Sequence, residues 1–294
     1  MSARESSFIL TAADGHPIEV ISWLDDGSDQ RPVKAIVQIA HGMGEHSKRY
    51  RALAQSLVDA GCAVYASEHR GHGAGAQSRG ELGDFGAGGF AGLAHDMAQL
   101  SLHAKAAHPQ APLVLVGHSM GSFAAQLYVL DYSELIDGVA LSGTTAIDLM
   151  LQARSAGWKL EDANAGVTDP RTPFDWLSRD PAVVDAYLAD ALCGFTIVPE
   201  SMQSMGADCM RTADISALRR IRPDLPLLAF TGAQDPVNNF LEWFEPLLVR
   251  YRAAGLTDVS SHVYGGARHE VFNETNRGEV VANLIAWIER VARR

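Results

Sequence analysis

The sequence predicts an α/β fold built on a mostly parallel central sheet of about eight strands, with helices on both faces. Short apolar runs alternate with helical patterns through residues 1–144, and this alternation favours parallel strands joined by helices. The alternation resumes over residues 216–294, so we expect these two stretches to form one core. Residues 145–215 show no buried strand pattern. We interpret this stretch as a helical cap, inserted between two strands above the strand ends where open α/β sheets bind ligands.

The predicted elements of the first half are bounded by turn residues. Apolar and polar residues alternate over 7–10 and 18–23 on either side of Asp14 and Gly15, which predicts a hairpin. Further strands are predicted at 35–40, 62–67, 113–116 and 138–143, and helices at 47–58, 90–107 and 122–130. Glycine is frequent over 73–89, so a loop is expected there.

The second half of the sheet is predicted from strands at 225–232 and 259–264, with helices at 237–254 and 276–292. Between the two halves, the cap combines many acidic residues with aromatic and methionine side chains, among them Trp158, Phe174, Trp176, Met202 and Met205. We expect several short helices joined by turns that contain proline and glycine. Its apolar side chains can line an acyl channel or form the cap's own core, and the sequence leaves both interpretations open.

Composition excludes some classes of function. The 294 residues are 47% hydrophobic and 20% charged, values typical of one large globular domain that can carry an insertion. A net charge of -11 disfavours a nucleic-acid partner. No run of 18 apolar residues predicts a membrane span, and the first residues lack the apolar core of a secretion signal. Three isolated cysteines favour reduced thiols and a cytoplasmic location. The oligomeric state is not indicated.

One strand ends in a pattern associated with nucleophilic catalysis. Residues 117–121 read Gly-His-Ser-Met-Gly, between the strand 113–116 and the helix 122–130. Strand, G-x-S-x-G and helix together form a nucleophile elbow, a sharp turn that exposes its serine. The two glycines lack a Cβ, so neighbouring backbone can approach closely. The pattern predicts Ser119 as a nucleophile beside a helix N-terminus that favours negative charge.

A serine nucleophile needs a base and a carboxylate, and each must follow a strand to reach the same edge of the sheet. His269 lies just after the strand 259–264, and Asp235 lies just after the strand 225–232. The chain order Ser119, Asp235, His269 is the order expected of α/β-hydrolases. We therefore predict these three residues as the catalytic triad.

Other residues are candidates for the same roles. Asp148 also follows a strand and can orient the base in place of Asp235. His262 lies within a predicted strand, which leaves it no loop freedom. His118 is the variable residue next to the nucleophile, and we expect it to pack against the turn or to contact substrate.

Neither a metal nor a cofactor is expected. Glu68, His69 and His72 are close in sequence, but their spacing matches no zinc site, and we expect them to brace a loop. Hydrolysis by serine, histidine and aspartate uses protein groups alone.

The oxyanion of a tetrahedral intermediate needs two backbone N–H donors. One is predicted at Met120, directly after the nucleophile, and the other at Met43, in the loop that follows the strand 35–40. The neighbouring His41 and Gly42 are candidate substrate contacts, and so are His118, Trp158 and Val237.

Several motifs resemble the monoacylglycerol lipase and bacterial lysophospholipase group of the α/β-hydrolases, a serine aminopeptidase S33-like group. These are 39–47 (Ile-Ala-His-Gly-Met-Gly-Glu-His-Ser), 49–50 (Arg-Tyr), 69–73 (His-Arg-Gly-His-Gly), 117–121, and 266–270 (Gly-Ala-Arg-His-Glu) with Asn273 and Glu274. The resemblance covers nearly the whole chain except the cap. It departs at Glu68, where aspartate is common, and at Ser122, where a second glycine is frequent.

The resemblance implies the same triad and the same two oxyanion donors at the matching positions. It also implies cofactor-free hydrolysis of monoacylglycerols, lysophospholipids and similar single-acyl esters. Two alternatives remain open: an aminopeptidase that uses the same triad, and a non-catalytic binding protein on this scaffold. The expected partner is a small-molecule or lipid ester, and the cap is a candidate for transient contact with a membrane surface.

Overall fold

One sheet forms the centre of the protein, for which the computed structural model describes residues 3–27 and 32–294. Its eight strands within these residues are β1 (Ala3–Thr11), β2 (Pro17–Asp25), β3 (Ala35–Ala40), β4 (Cys62–Ser67), β5 (Leu113–His118), β6 (Gly138–Ser142), β7 (Leu227–Gly232) and β8 (Val259–Tyr264). They lie in the order β1-β2-β4-β3-β5-β6-β7-β8. β2 is antiparallel to β1 and β4, and the other neighbouring pairs are parallel. The predicted fold class is confirmed.

The α-helices of the described chain are α1 (Arg51–Asp59), α2 (Gly73–Arg79), α3 (Gly89–Ala107), α4 (Met120–Tyr132), α5 (Ile147–Ser155), α6 (Pro181–Ala189), α7 (Pro199–Cys209), α8 (Ile215–Leu218), α9 (Phe244–Ala254) and α10 (Arg277–Ala292). Short 3₁₀ turns cover Ser47–Tyr50, Ser133–Leu135, Leu160–Gly166, Asp175–Leu177, Met210–Ala213, Pro236–Asn238 and Val271–Asn273. Among the helices that the structure describes, none has the length and apolar character needed to cross a membrane.

Both faces of the sheet are covered, as the apolar character of its central strands requires. β3, β4 and β5 are buried along their whole length, which is typical of parallel strands between two layers of helices. Successive side chains of a strand point to opposite faces, so Leu115 and Val116 enter different cores. Leu115 belongs to the core that includes Phe123 of α4, and Val116 to the core that includes Leu57 of α1 and Trp287 of α10.

The stretch 73–89 differs from the loop that its glycines suggested, because α2 occupies its first seven residues. A glycine costs a helix only about 1 kcal/mol relative to alanine, and the burial of Ala76 offsets part of that cost. Gly80 then ends the helix at φ 71°, in the left-handed conformation common at helix C-termini.

The helix expected over 237–254 begins only at Phe244. Asn239, Phe240 and Leu241 have positive φ values of 51°, 53° and 80°, which no α-helix accommodates. The Asn238 side chain accepts a hydrogen bond from the Leu241 amide at 2.8 Å. Such local side-chain bonds compete with helix formation, and here they shift the start of the helix to Phe244.

Between β6 and β7 the described chain contributes helices and turns but no strand. We propose that residues 145–215 of this segment are a cap and that the flanking stretches belong to the core. Two contacts place the segment over the strand ends. The Glu270 amide donates to the Leu177 carbonyl at 2.8 Å, and the Tyr187 hydroxyl donates to the Gly44 carbonyl at 2.9 Å.

The turn after β5 depends on a close crossing of backbone, which gives a first prediction. A Cβ added at Gly121 would lie 2.1 Å from the Ala40 carbonyl oxygen, a backbone atom that cannot turn away. We expect Gly121→Ala to lower the free energy of unfolding by more than about 3 kcal/mol, because overpacking against backbone forces strand and helix apart. Chemical denaturation measures the change.

Gly278→Ala is the matched control for that variant. Gly278 lies in the first turn of α10, and an added Cβ there has no neighbouring atom within 4 Å. Its stability should stay unchanged or rise slightly, since alanine favours helix. Equal stability of the two variants would contradict the close crossing.

Candidate active site

Ser119 lies in a strained turn between β5 and α4. Its φ of 50° and ψ of -122° belong to a region that non-glycine residues rarely occupy. The Ser119 amide donates to the Ser142 carbonyl at 2.9 Å, which anchors the turn to β6. A Cβ at Gly117 would lie 2.5 Å from the Gly121 carbonyl oxygen, so the turn requires glycine there. Backbone strain of this kind concentrates at functional sites.

The structure brings Asp235 and His269 together, 34 residues apart in the chain. His269 Nδ1 donates to Asp235 Oδ1 and Oδ2 at 2.9 and 3.0 Å. The Asp235 carboxylate also accepts bonds from the Val237 amide and the Thr231 hydroxyl, both at 2.9 Å. These bonds hold a fully buried carboxylate against the ring. A proton fixed on Nδ1 leaves Nε2 of His269 free to accept one.

Ser119 and His269 line the same cavity, whose volume is about 150 Å³. Of the predicted substrate contacts, Gly42, His118, Trp158 and Val237 also line this cavity. Its other walls are mostly apolar and include Phe123, Met150, Leu160, Phe174, Trp176, Leu177, Phe195 and Met205. Most of these side chains come from the segment between β6 and β7. At least these apolar residues of the segment therefore line a cavity, which was one of the two interpretations that the sequence left open.

The proposed cap holds the His269 loop in place, a contact that sequence patterns did not indicate. The His269 amide donates to the Trp176 carbonyl at 3.3 Å, and the two rings lie 5.1 Å apart between centroids. The His118 and His269 rings lie 4.8 Å apart between centroids. Gly143 allows this approach, since a Cβ there would lie 2.9 Å from His269 Cε1.

Buried charges tune the imidazole of His269. Burial alone lowers its pKa, but the charge and hydrogen bond of Asp235, with the charges of Glu270 and Glu45, raise the pKa above its ordinary value. Burial and the neighbouring His269 lower the pKa of His118 to about 4. Two histidines in contact thus differ in pKa, and His269, whose pKa is the higher, is the stronger base of the two.

This tuning predicts how hydrolysis depends on pH. A general base must be unprotonated, and a raised pKa keeps His269 protonated to higher pH. We therefore expect kcat/KM to fall as pH decreases through a midpoint above about 6.5, the ordinary histidine value. Initial rates between about pH 5 and 9, with circular dichroism at each pH to verify folding, measure it. A midpoint well below 6.5 would show that the acidic neighbours do not act on this ring.

The two predicted oxyanion donors belong to the turn after β3 and to the first turn of α4. Met120 is the first residue of α4, where a backbone N–H has no acceptor within the helix. Met43 lies in the turn after β3, and within the described residues its N–H meets no protein acceptor. The turn closely approaches the nucleophile, because a Cβ at Gly42 would lie 3.3 Å from Ser119 Cβ.

Hydrogen bonds brace the turn that contains Met43 from both sides. The Gly42 amide donates to Glu45 at 2.5 Å, and the Gly44 amide donates to His72 Nε2 at 3.2 Å. The Gly44 carbonyl accepts from the Tyr187 hydroxyl, and also from the Gly194 amide at 2.9 Å. Tyr187 and Gly194 belong to the proposed cap, so cap position and turn geometry are coupled.

A charged cluster at the end of the cavity is a feature that sequence reasoning missed. Arg49 donates to Glu45 Oε2 at 2.6 Å and to both oxygens of Glu270 at 2.7 and 2.8 Å. Burial raises the pKa of Glu45, but Arg49 and nearby histidines outweigh it and lower that pKa to about 2. The carboxylates stay ionised, and the cluster carries a net negative charge. The signal for this cluster in the sequence is the spacing of four residues between Glu45 and Arg49, at which opposite charges can pair.

The remaining candidates lie elsewhere. Asp148 pairs with Arg250, so it does not orient His269. His262 is exposed on β8. His41, a predicted substrate contact, does not line the cavity, because its fully buried ring bonds the Gly42 carbonyl and the His69 amide. The position of His41 therefore differs from the expected substrate contact. Its ring instead supports the turn that contains Met43, on the side away from the cavity.

Comparison with known proteins identifies the family. The serine aminopeptidase S33 family matches residues 31–276. The chain is 32% identical to a monoacylglycerol lipase of Mycolicibacterium smegmatis, over 98% of both chains, and 30% identical to a monoglyceride lipase of Homo sapiens, over 90% of this chain and 84% of that one. A carboxyl esterase structure from Bacillus coagulans has a TM-score of 0.84 at 27% identity, over 99% of each chain. The chain therefore belongs to the serine aminopeptidase S33 family, in the monoacylglycerol lipase group of the α/β-hydrolases.

Proposed function

We propose that this serine ester hydrolase cleaves monoacylglycerols or similar single-acyl esters with a triad of Ser119, His269 and Asp235. The observation that carries the proposal is the Asp235–His269 pair opening onto the cavity that Ser119 lines. Relatives named monoacylglycerol lipase and carboxyl esterase support the reaction class.

The mechanism follows from the proton that Asp235 fixes on His269 Nδ1. Nε2 removes the hydroxyl proton of Ser119, and Oγ attacks the ester carbonyl carbon. The amides of Met43 and Met120 stabilise the oxyanion, each worth about 3–4 kcal/mol of barrier. His269 then protonates the leaving alcohol, and an acyl-enzyme remains. Water, activated by the same imidazole, attacks that acyl group and releases the acid and Ser119.

The cavity supports a substrate with one apolar and one polar part. Apolar side chains, mostly from the proposed cap, line most of the cavity. Glu45 and Glu270 of the charged cluster line the rest. Ionised carboxylates accept hydrogen bonds from hydroxyl groups, which suits a glycerol head group. The same charges repel a phosphate, so lysophospholipids, which the family resemblance includes, fit this cluster less well than neutral glycerol esters.

Acyl chain length provides the next prediction. A cavity of about 150 Å³ accommodates a group of roughly the size of benzene. For p-nitrophenyl esters below their aggregation concentration, we expect kcat/KM to rise about fourfold per methylene from acetate upward, because each buried CH₂ contributes about 0.8 kcal/mol. The rise should stop once the acyl group fills the cavity. A steady fall from acetate would contradict an apolar acyl site.

The aminopeptidase alternative has one observation in its favour. The negative cluster that accepts hydroxyl groups can also bind an ammonium group, and Glu45 and Glu270 outnumber Arg49. Turnover of monooleoylglycerol, lysophosphatidylcholine and proline β-naphthylamide distinguishes the possibilities. We expect the glycerol ester to have the highest kcat/KM, whereas dominant amide cleavage would favour the aminopeptidase. Failure of a fluorophosphonate probe to label the protein would instead favour a non-catalytic binding protein.

A further inference from the structure

A second group of reactive side chains lies outside the proposed catalytic centre, where the cap meets the turn after β3. His46, Asp190 and Cys193 place one ligand atom each within 4.8 Å of one another. His46 Nε2 already lies 2.9 Å from Asp190 Oδ2. Asp190 and Cys193 follow α6 in the proposed cap, and His46 directly precedes the 3₁₀ turn Ser47–Tyr50. We propose that these three residues bind a divalent transition-metal ion, Zn²⁺ being the best fit, and that the ion fastens the cap to the turn.

The donor set fits this metal. Zn²⁺ is bound in proteins by imidazole nitrogen, thiolate sulfur and carboxylate oxygen, with bonds of about 2.0–2.3 Å. Ligand atoms on one tetrahedral ion therefore lie about 3.3–3.6 Å apart. His46 Nε2 and Asp190 Oδ2, now 2.9 Å apart, need to separate by about half an ångström. The Cys193 sulfur lies within 4.8 Å of the other two ligand atoms, so it needs to approach by about 1.3 Å at most. Water or a second anion can complete the coordination.

The His46 ring is only half satisfied by the fold. Nδ1 is buried and, within the described residues, has no hydrogen-bond partner. A buried imidazole usually has partners for both nitrogens. Within the described residues the fold holds this ring through the Nε2 contact with Asp190 alone, so an ion that takes the place of that contact meets no second partner on the ring. The partnerless nitrogen is an observation separate from the distances within the cluster.

The group also has an entrance. A surface cavity of about 560 Å³ is lined by His46 and Leu192, so an ion can reach the group from solvent. Two carboxylates of this cavity, Glu5 and Glu19, already pair with arginines. Burial raises the pKa of the Cys193 thiol to about 12, so the ion must displace a proton when it binds.

The position of the group predicts how a bound ion affects turnover. Gly194, next to Cys193, and Tyr187, three residues before Asp190, both donate to the Gly44 carbonyl. Gly44 directly follows Met43. An ion on the proposed ligands holds together the same two segments that the bonds to the Gly44 carbonyl join. It therefore opposes any movement of the proposed cap that admits substrate. We therefore expect bound Zn²⁺ to inhibit.

Binding is tested without any substrate, so its outcome is separate from that of the proposed function. Metal-free, reduced protein is titrated with ZnCl₂ by calorimetry and with CoCl₂ by absorbance. One ion per chain is expected, with a thiolate-to-cobalt charge-transfer band. Cys193→Ser should abolish the band and weaken Zn²⁺ binding at least about 100-fold, because even outer-shell partners of a metal contribute 10–100-fold.

Two further variants serve as a control and as a second test of the ligands. Cys62→Ser removes a cysteine that is not part of the group, at the start of β4, and should retain the band and the affinity. Asp190→Asn changes a side chain that is 36% exposed, so it should fold, and it should weaken binding. A wild-type protein that binds no stoichiometric ion, or a Cys193→Ser variant with the same band and affinity, would overturn the site.

A separate measurement tests the consequence, and this part rests on the proposed ester hydrolysis. Zn²⁺ should inhibit wild type and Cys62→Ser reversibly, with EDTA restoring the rate, and should inhibit Cys193→Ser much less. Stoichiometric binding without inhibition would retain the site and reject its action on the cap. Inactivity of the metal-free enzyme toward every ester would reject the proposed function and leave the binding result standing.

Discussion

Ser119→Ala is expected to lower kcat for p-nitrophenyl esters by about 10⁴–10⁶-fold, because no other group in the cavity can form the acyl-enzyme. Loss of a triad nucleophile leaves only the contribution of substrate binding and of the oxyanion donors. The change removes one oxygen, and alanine can replace serine in the turn. The free energy of unfolding should therefore change little, since alanine keeps the Cβ and the strained φ of 50° and loses only the hydroxyl.

Two measurements define this result. Single-turnover assays, in the presence of excess enzyme, measure acylation directly, and thermal unfolding verifies that the variant is folded. Ser122→Ala is the control, because Ser122 lies three residues further along, does not line the cavity, and bonds the Ser119 carbonyl at 2.7 Å. We expect it to retain kcat within about tenfold. Residual acylation by Ser119→Ala near the wild-type rate would remove Ser119 from the mechanism.

Asp235→Asn should lower kcat by about 10⁴-fold with little change in KM. An amide at this position can donate to His269 Nδ1, which moves the imidazole proton to Nε2, where the base must be free. The Asp235 oxygens accept bonds from the Thr231 hydroxyl, the Val237 amide and the imidazole. Asparagine keeps the shape of the side chain, so we attribute the expected loss to the tautomer of His269 rather than to misfolding.

Asp148→Asn is the matched control, because Asp148 is the other carboxylate that follows a strand. It pairs with Arg250 and joins α5 to α9. Its replacement should lower the free energy of unfolding by about 1 kcal/mol, a loss typical of a partly exposed ion pair, and leave kcat within a few-fold. The reverse pattern, in which Asp148→Asn abolishes turnover and Asp235→Asn does not, would assign the orienting carboxylate to Asp148.

The proposed cap and the turn after β3 are coupled through a small set of shared contacts. The segment between β6 and β7 supplies apolar cavity walls, a backbone acceptor for the His269 amide and two donors to the Gly44 carbonyl. A substrate larger than the closed cavity must displace part of this segment. The hydrogen bonds that order the site therefore also oppose entry, and a ligand that strengthens them is expected to slow turnover.

Local sequence patterns were sufficient for the sheet and for the residues at its strand ends. Seven of the eight described strands begin and end within a residue or two of their predicted limits, because strands of such a sheet are short runs bounded by turn residues. The G-x-S-x-G turn located Ser119, and its φ of 50° fits the strained tip that the pattern predicts. Parallel strands place their C-terminal ends at one edge, so positions after three strands brought Ser119, Asp235 and His269 to one site.

Local patterns failed where weak signals compete or where partners are remote. Helix α2 forms despite its glycines because Ala76 packs into the core, and residues 239–241 leave the helical region because Asn238 bonds their backbone. The Arg49–Glu270 pair spans 221 residues and His46–Asp190 spans 144. No periodicity of either segment encodes such a contact, since it depends on how the cap and loops pack over the sheet.

The sequence by itself determined the fold class, the strained serine and the chain order of the three predicted triad residues, because each is encoded by residues that are neighbours in the chain or by the direction of parallel strands. Only the tertiary structure decided which carboxylate bonds His269, which side chains line the cavity, and that the proposed cap contacts the turn beside Ser119. These features depend on distances between remote segments, which are fixed by the packing of the whole chain.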